Sequence, residues 1–254
     1  MTKKILITGA GSGFGKHYSF ELARRGYDVY ASVEIPSQIT SLRREAEAEN
    51  LKLNVFKLNI NDEIDVQNAL KLDIDILVSN AGIGEGGALV DLPLPLLRRQ
   101  FEVNFFGTIH LATEFLKKFA KRKSGRLVFV SSIAGIISNE KNGAYCASKH
   151  ALEAAVQAIR DEMKDFNITV STINPGPYLT GFNDRLIEAS NNWYDKDTAI
   201  INHDNPSFAM DQFPELQDIP AMVDVIVNDQ AKFRNVFPKS MEDFVKDLEK
   251  SYWE

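Results

Sequence analysis

Short β-rich apolar runs alternate with segments of helical period along most of the chain. That alternation predicts a parallel sheet covered by helices on both faces. Strands are expected at 5–8, 28–33, 53–58, 74–79, 126–131 and 168–173, with a short one at 233–237. Helices are expected at 12–25, where Gly26 is a C-terminal cap, then at 36–49, 62–70, 95–122, 143–166, 219–231 and 241–250. Residues 177–216 have no clean period and read as a helical lid over one domain spanning 1–254.

Composition narrows the class without changing this outline. The 29 Lys+Arg and 35 Asp+Glu give a net charge of −6, a poor balance for nucleic acid or an anionic membrane. No apolar run approaches the ~18 residues of a spanning helix. The run Ile5-Leu6-Ile7 is too short for a secretory h-region, so a cytoplasmic protein is expected. One cysteine excludes an internal disulfide framework. The four histidines lack metal-ligand spacing, so no metal is expected.

After the first strand the chain reads Thr8-Gly9-Ala10-Gly11-Ser12-Gly13-Phe14-Gly15, then becomes helical. Strand, glycine loop and helix in that order suit a dinucleotide, because glycines admit a pyrophosphate to the free N–H groups of a helix start. A structural turn is the plain alternative. Asn80-Ala81-Gly82 follows the fourth strand, at the sheet end where such folds bind ligands, and could equally be only a turn.

Tyr145 and Lys149 are four apart at a helix start and share a face. A tyrosine acting as a base near pH 7 must lose ~3 pKa units, roughly 4 kcal/mol of differential stabilisation. An adjacent ammonium supplies part of that. Ser132 follows the fifth strand, where its hydroxyl can meet a reacting oxygen, and Asn104 is expected mid-helix with an amide that holds a water beside Lys149. Each residue alone is ordinarily packing; their occurrence together with the glycine loop gives them weight.

These pieces, with Asn174-Pro175-Gly176 and Thr180, resemble the short single-domain branch of the short-chain dehydrogenase/reductase family in order and spacing over residues 8–180. The resemblance implies an α/β, doubly wound, Rossmann-like parallel sheet of about seven strands, in the order 3-2-1-4-5-6-7. It implies a nicotinamide cofactor held by Gly9, Ser12, Gly13, Phe14, Gly15, Glu34, Asn59, Ile60, Asn80, Ala81, Gly82, Tyr145, Lys149, Pro175, Gly176 and Thr180. Asn104, Ser132, Tyr145 and Lys149 become the catalytic tetrad, with Tyr145 the general acid/base. A homodimer or homotetramer follows by the same likeness, through the helices at 95–122 and 143–166. The chain departs from the family at Asn59, where an aspartate is usual.

Glu34, at the end of the second strand, favours ribose hydroxyls over a 2′-phosphate, so NAD(H) is preferred and NADP(H) remains possible. The lid holds seven acids against two bases, which argues against an anionic substrate or an acidic carrier protein. Its apolar residues Tyr178, Leu179, Phe182, Leu186, Trp193, Tyr194, Phe208, Met210 and Phe213 suit a neutral, moderately apolar alcohol, ketone or aldehyde. The alternatives are a non-catalytic NAD(P)-sensing or scaffold protein and a ketoacyl-type reductase. A sugar-nucleotide epimerase is disfavoured, since only 74 residues follow Thr180.

Overall fold

Strands alternate their side chains between faces, and here both faces are apolar, so each strand feeds two cores. In the computed structural model, which describes residues 2–204 and 210–254, Ile5, Ile7, Ile76, Val78, Val128 and Val130 point to one core. Leu6, Leu77, Leu127 and Phe129 point to the other.

Seven parallel strands build the sheet: β1 (Lys4–Ile7), β2 (Asp28–Val33), β3 (Asn54–Lys57), β4 (Ile76–Ser79), β5 (Gly125–Val130), β6 (Ile168–Pro175) and β7 (Arg234–Phe237). Their order is β3-β2-β1-β4-β5-β6-β7, the order that the resemblance implies. The order reverses between β1 and β4, and a crevice opens beyond the carboxyl ends of these two strands.

Helices α1 (Gly13–Arg24), α2 (Pro36–Ala48) and α8 (Ile219–Val227) cover the first face. Helices α3 (Glu63–Ala69), α5 (Thr108–Arg122) and α6 (Gly143–Glu162) cover the second. Two further helices, α4 (Leu94–Phe101) and α7 (Phe182–Glu188), stand beside the crevice, and α9 (Met241–Ser251) follows the last strand.

The long helix expected at 95–122 is interrupted: a π-helical segment, Glu102–Gly107, separates α4 from α5 and contains Asn104. The helix expected at 143–166 ends at Glu162 and gives way to a 3-10 turn, Lys164–Phe166. Among the described residues of 177–216, the regular structure beyond α7 is one 3-10 turn, Ala189–Asn192. Both roots of this segment are pinned, because Phe213 N donates to Pro177 O and Leu179 N to Phe213 O.

Arg126 is almost fully buried under α8 without a carboxylate partner. Its guanidinium donates to Ile226 O and Val225 O at the end of α8, and to the hydroxyls of Thr169 and Ser171. Burial lowers its pKa to about 10. Substituting Arg126→Met strands those acceptors in the core. The expected cost is about 2–4 kcal/mol, a Tm lower by roughly 5–15 °C on thermal unfolding.

Candidate active site

The crevice is a cavity of about 1010 Å³ that runs from the glycine loop to Tyr145 and on to α9. At its first end Gly9 holds φ +66°, and a Cβ there would lie 2.8 Å from Ala81 Cα. A Cβ on Gly15 would lie 2.5 Å from Gly9 O and from Asn80 Nδ2. These clashes fix glycine at both positions.

Asn80 is a clamp on this loop, more than the simple turn its triplet suggests. Its side-chain amide donates to Thr8 O (2.9 Å) and Gly9 O (3.2 Å). The backbone N–H groups of Asn80 and Ala81 both donate to Thr8 Oγ1 at 2.9 Å. Ser12 is the N-cap of α1 yet makes no capping hydrogen bond, and the first turn holds no acid. The helix start therefore presents uncompensated N–H groups to the cavity, a place for phosphate oxygens. The glycine cradle and this open helix end fit a dinucleotide.

Of the expected residues, Gly9, Ser12, Gly13, Phe14, Glu34, Asn59, Ile60, Asn80, Ala81, Gly82, Ser132, Tyr145, Lys149, Pro175, Gly176 and Thr180 all line the cavity. Gly15 and Asn104 do not: Gly15 packs inside the loop, and Asn104 stands behind the wall. Asn59 spends its amide oxygen on Asn61 N.

Asn104 lies in the π-helical segment with its side chain buried. Its Oδ1 accepts from Ile83 N (2.9 Å), while Nδ2 donates to Ile83 O (3.0 Å) and Ser148 Oγ (3.2 Å). Both N–H groups of the amide are used, and its oxygen keeps one acceptor site open. The side chain fixes the strand-end loop after Gly82 against α6. Helical π segments recur at functional sites, and this one rotates the amide into the core.

Tyr145 and Lys149 are both buried, with Lys149 Nζ 5.9 Å from the Tyr145 ring centroid. Nζ donates to Val130 O at 3.0 Å. Burial brings the ammonium down to about 8, against the pull of Glu153. Burial also pushes the phenol well above its usual range, with the Ser132 hydroxyl opposing. Both side chains are thus held towards their neutral forms. Ser132 Oγ accepts from Ala134 N (3.1 Å), which caps the short 3-10 turn Ile133–Gly135.

Asn174, part of the Asn174-Pro175-Gly176 triplet, connects this support to Glu153 and Arg234, which escaped the sequence reading. Asn174 Nδ2 donates to Ser132 O (3.1 Å) and Glu153 Oε1 (2.6 Å), and Glu153 is paired with Arg234. The buried carboxylate thereby ties the Ser132 backbone to α6, one turn beyond Lys149. No local pattern marks this link, because its partners come from three separate elements.

The lid residues divide. Tyr178, Phe182, Leu186 and Met210 line the cavity, and the Phe182 ring lies 5.5 Å from that of Tyr145. Trp193 and Tyr194 pack on His203 instead, Leu179 is exposed and Phe213 joins the cores. Phe208 lies outside the described residues. None of the seven lid acids lines the cavity, whereas Arg185 does. The lid acids are therefore not placed to touch a bound substrate, and the one charged lid residue in the cavity wall is basic. Lys16, next to Gly15, pairs with Glu45. Among the described residues no helix is long and apolar enough to cross a membrane.

Known proteins resemble this chain in sequence and fold. The family described as short chain dehydrogenase matches residues 3–191. The oxidoreductase YusZ of Bacillus subtilis is 37% identical over 188 residues, which are 71% of this chain and 67% of that one. Retinol dehydrogenase 8 of Bos taurus is 33% identical over 194 residues, 73% of this chain and 62% of the relative, so the likeness stops short of the relatives' full length. A short-chain dehydrogenase from Streptomyces avermitilis superposes with a TM-score of 0.80 at 24% identity, covering 100% of this chain and 94% of the other. By the family match and these relatives, the chain belongs to the short-chain dehydrogenases, oxidoreductases that use nicotinamide cofactors.

Proposed function

We propose that the protein is an NAD(P)-dependent alcohol dehydrogenase or carbonyl reductase acting on a neutral, moderately apolar ketone, aldehyde or alcohol. The observation that carries this reading is the buried Tyr145–Lys149 pair on the wall of a cavity whose other end is a glycine cradle. A bound nicotinamide dinucleotide supplies or accepts the hydride.

The chain's own residues do the rest. Gly9, Gly13 and the start of α1 receive phosphate oxygens, and Pro175, Gly176 and Thr180 form the opposite wall. Ser132 donates its hydroxyl to the substrate oxygen. Tyr145, held neutral by burial, delivers its phenolic proton to that oxygen as negative charge develops there. Oxidation runs the same proton backwards and needs the phenolate, which Lys149 stabilises once charged. The test is decay of reduced-cofactor absorbance with NADH and NADPH over neutral ketones and aldehydes. Absence of turnover with every carbonyl and both cofactors, alongside cofactor binding, favours the non-catalytic alternative.

NAD(H) is the preferred cofactor in this reading. Glu34 is exposed at the end of β2 and lines the cavity, where its carboxylate repels a 2′-phosphate. Replacing Glu34→Arg is expected to shift the NADPH/NADH ratio of kcat/KM at least tenfold towards NADPH, the worth of about one charge-assisted contact. An unchanged ratio removes Glu34 from cofactor selection.

The reading also treats the chain as one catalytic domain with residues 177–216 as its lid, working in the cytoplasm as a homodimer or homotetramer. Ala154 and Ala158 of α6 are exposed, and small residues there let a second helix approach. Light scattering of the purified protein reads the assembly directly.

A further inference from the structure

We propose that α9 is the specificity wall of the cavity and receives an apolar chain attached to the reacting carbon, so that the preferred substrate is a long-chain ketone or secondary alcohol. The inference rests on the oxidoreductase reading and adds the substrate class. Along α9, Met241 and Val245 are buried against Ile133, Ile136, Ile137 and Val236, which seats the helix. Phe244 and Leu248 lie beside that stripe and line the cavity with Ile137 and Met210. They are the α9 side chains in the cavity wall, and neither carries charge.

Phe244 is 46% exposed although it belongs to a cleft wall. An aromatic ring left half in water is apolar surface that packing of the body does not require. Burying it under a ligand is favourable in proportion to the area covered. The end of the helix is held: Tyr252 Oη donates to Ser138 O (3.0 Å) and accepts from Ser138 N. Ser138 also lines the cavity, so α9 and the loop after Ser132 form one wall. This helix lies beyond residues 3–191, the stretch that the family model matches.

The experiment compares kcat/KM for methyl ketones from butan-2-one to dodecan-2-one, in the wild type and in Phe244→Ser/Leu248→Ser. In parallel, dodecan-2-ol displaces the dye Nile red from each protein without turnover. The wild type is expected to gain up to about fourfold per methylene while the chain is being buried. The double variant is expected to lose at least tenfold in the dodecan-2-one/butan-2-one ratio, whereas Asp247→Asn on the exposed side of α9 keeps it. A flat wild-type series, or a ratio the double variant leaves unchanged, overturns the proposal and leaves the oxidoreductase reading standing. If no ketone turns over, the reading fails, and the dye decides the wall. Displacement at least tenfold weaker in the double variant upholds α9 as a chain-binding surface; equal displacement overturns it.

Discussion

Replacing Tyr145→Phe is expected to lower kcat for carbonyl reduction by about a thousandfold or more, while the dissociation constant for the nicotinamide cofactor changes less than about threefold. The loss is large because the hydroxyl is the proposed proton donor, and general acid catalysis contributes on the order of 10²–10⁴. The ring itself stays: its packing against Phe182 at 5.5 Å survives the substitution, so the pocket keeps its shape. Single-turnover decay of reduced-cofactor absorbance separates chemistry from release. The wild-type pH profile supplies the sign. Burial raises the phenol, so the proton-donating form persists through neutral pH and reduction stays level there. Oxidation requires the phenolate and therefore rises with pH. A variant retaining more than a tenth of wild-type turnover sinks the role of Tyr145.

What the sequence disclosed about this site follows from the range of the interactions involved. The glycine loop is legible because its constraints are local: a positive φ at Gly9 and a backbone approach at Gly15 both demand glycine within eight residues. Tyr145 and Lys149 are legible because one helix turn joins them. The covered parallel sheet is carried by the alternation of helix and strand and by the two-sided burial of strands such as Ile76–Ser79, whereas the strand order follows from the family resemblance.

The illegible parts depend on long-range contact. The segment Glu102–Gly107 has the composition of an ordinary helix, and its π form shows only where Asn104 reaches Ile83 and Ser148. The lid charges were countable, but α7 has only seven residues, too few for a period to say which side faces inward. Arg185 in the wall and the acids outside it are settled by folding. Phe244 lies about a hundred residues from Tyr145, and nothing local announces that they share a cavity.

Replacing Lys149→Met is expected to remove at least a hundredfold of turnover and yet to raise thermal stability at pH 7 by a few degrees. Activity falls because the ammonium that stabilises a phenolate at Tyr145 is gone. Stability rises because the folded state holds the lysine against its charge. An unfolded lysine keeps its proton to about pH 10.4, whereas burial brings the folded one down to about 8. Between those values the unfolded chain binds more protons, so wild-type stability increases with pH across that window. Below pH 8 both states are protonated, and the folded state bears the whole desolvation cost, of order 3 kcal/mol for this shift. Methionine relieves it, less about 1 kcal/mol for the lost hydrogen bond to Val130 O. The variant's advantage is therefore greatest below pH 8 and fades as pH approaches 10. Melting curves of both proteins from pH 6 to pH 10 read this directly. A Tm difference independent of pH, or a variant less stable at pH 7, contradicts the buried-ammonium account. A gain in stability coupled to a loss of turnover identifies Lys149 as a charge kept in the core for chemistry, since packing alone would have discarded it.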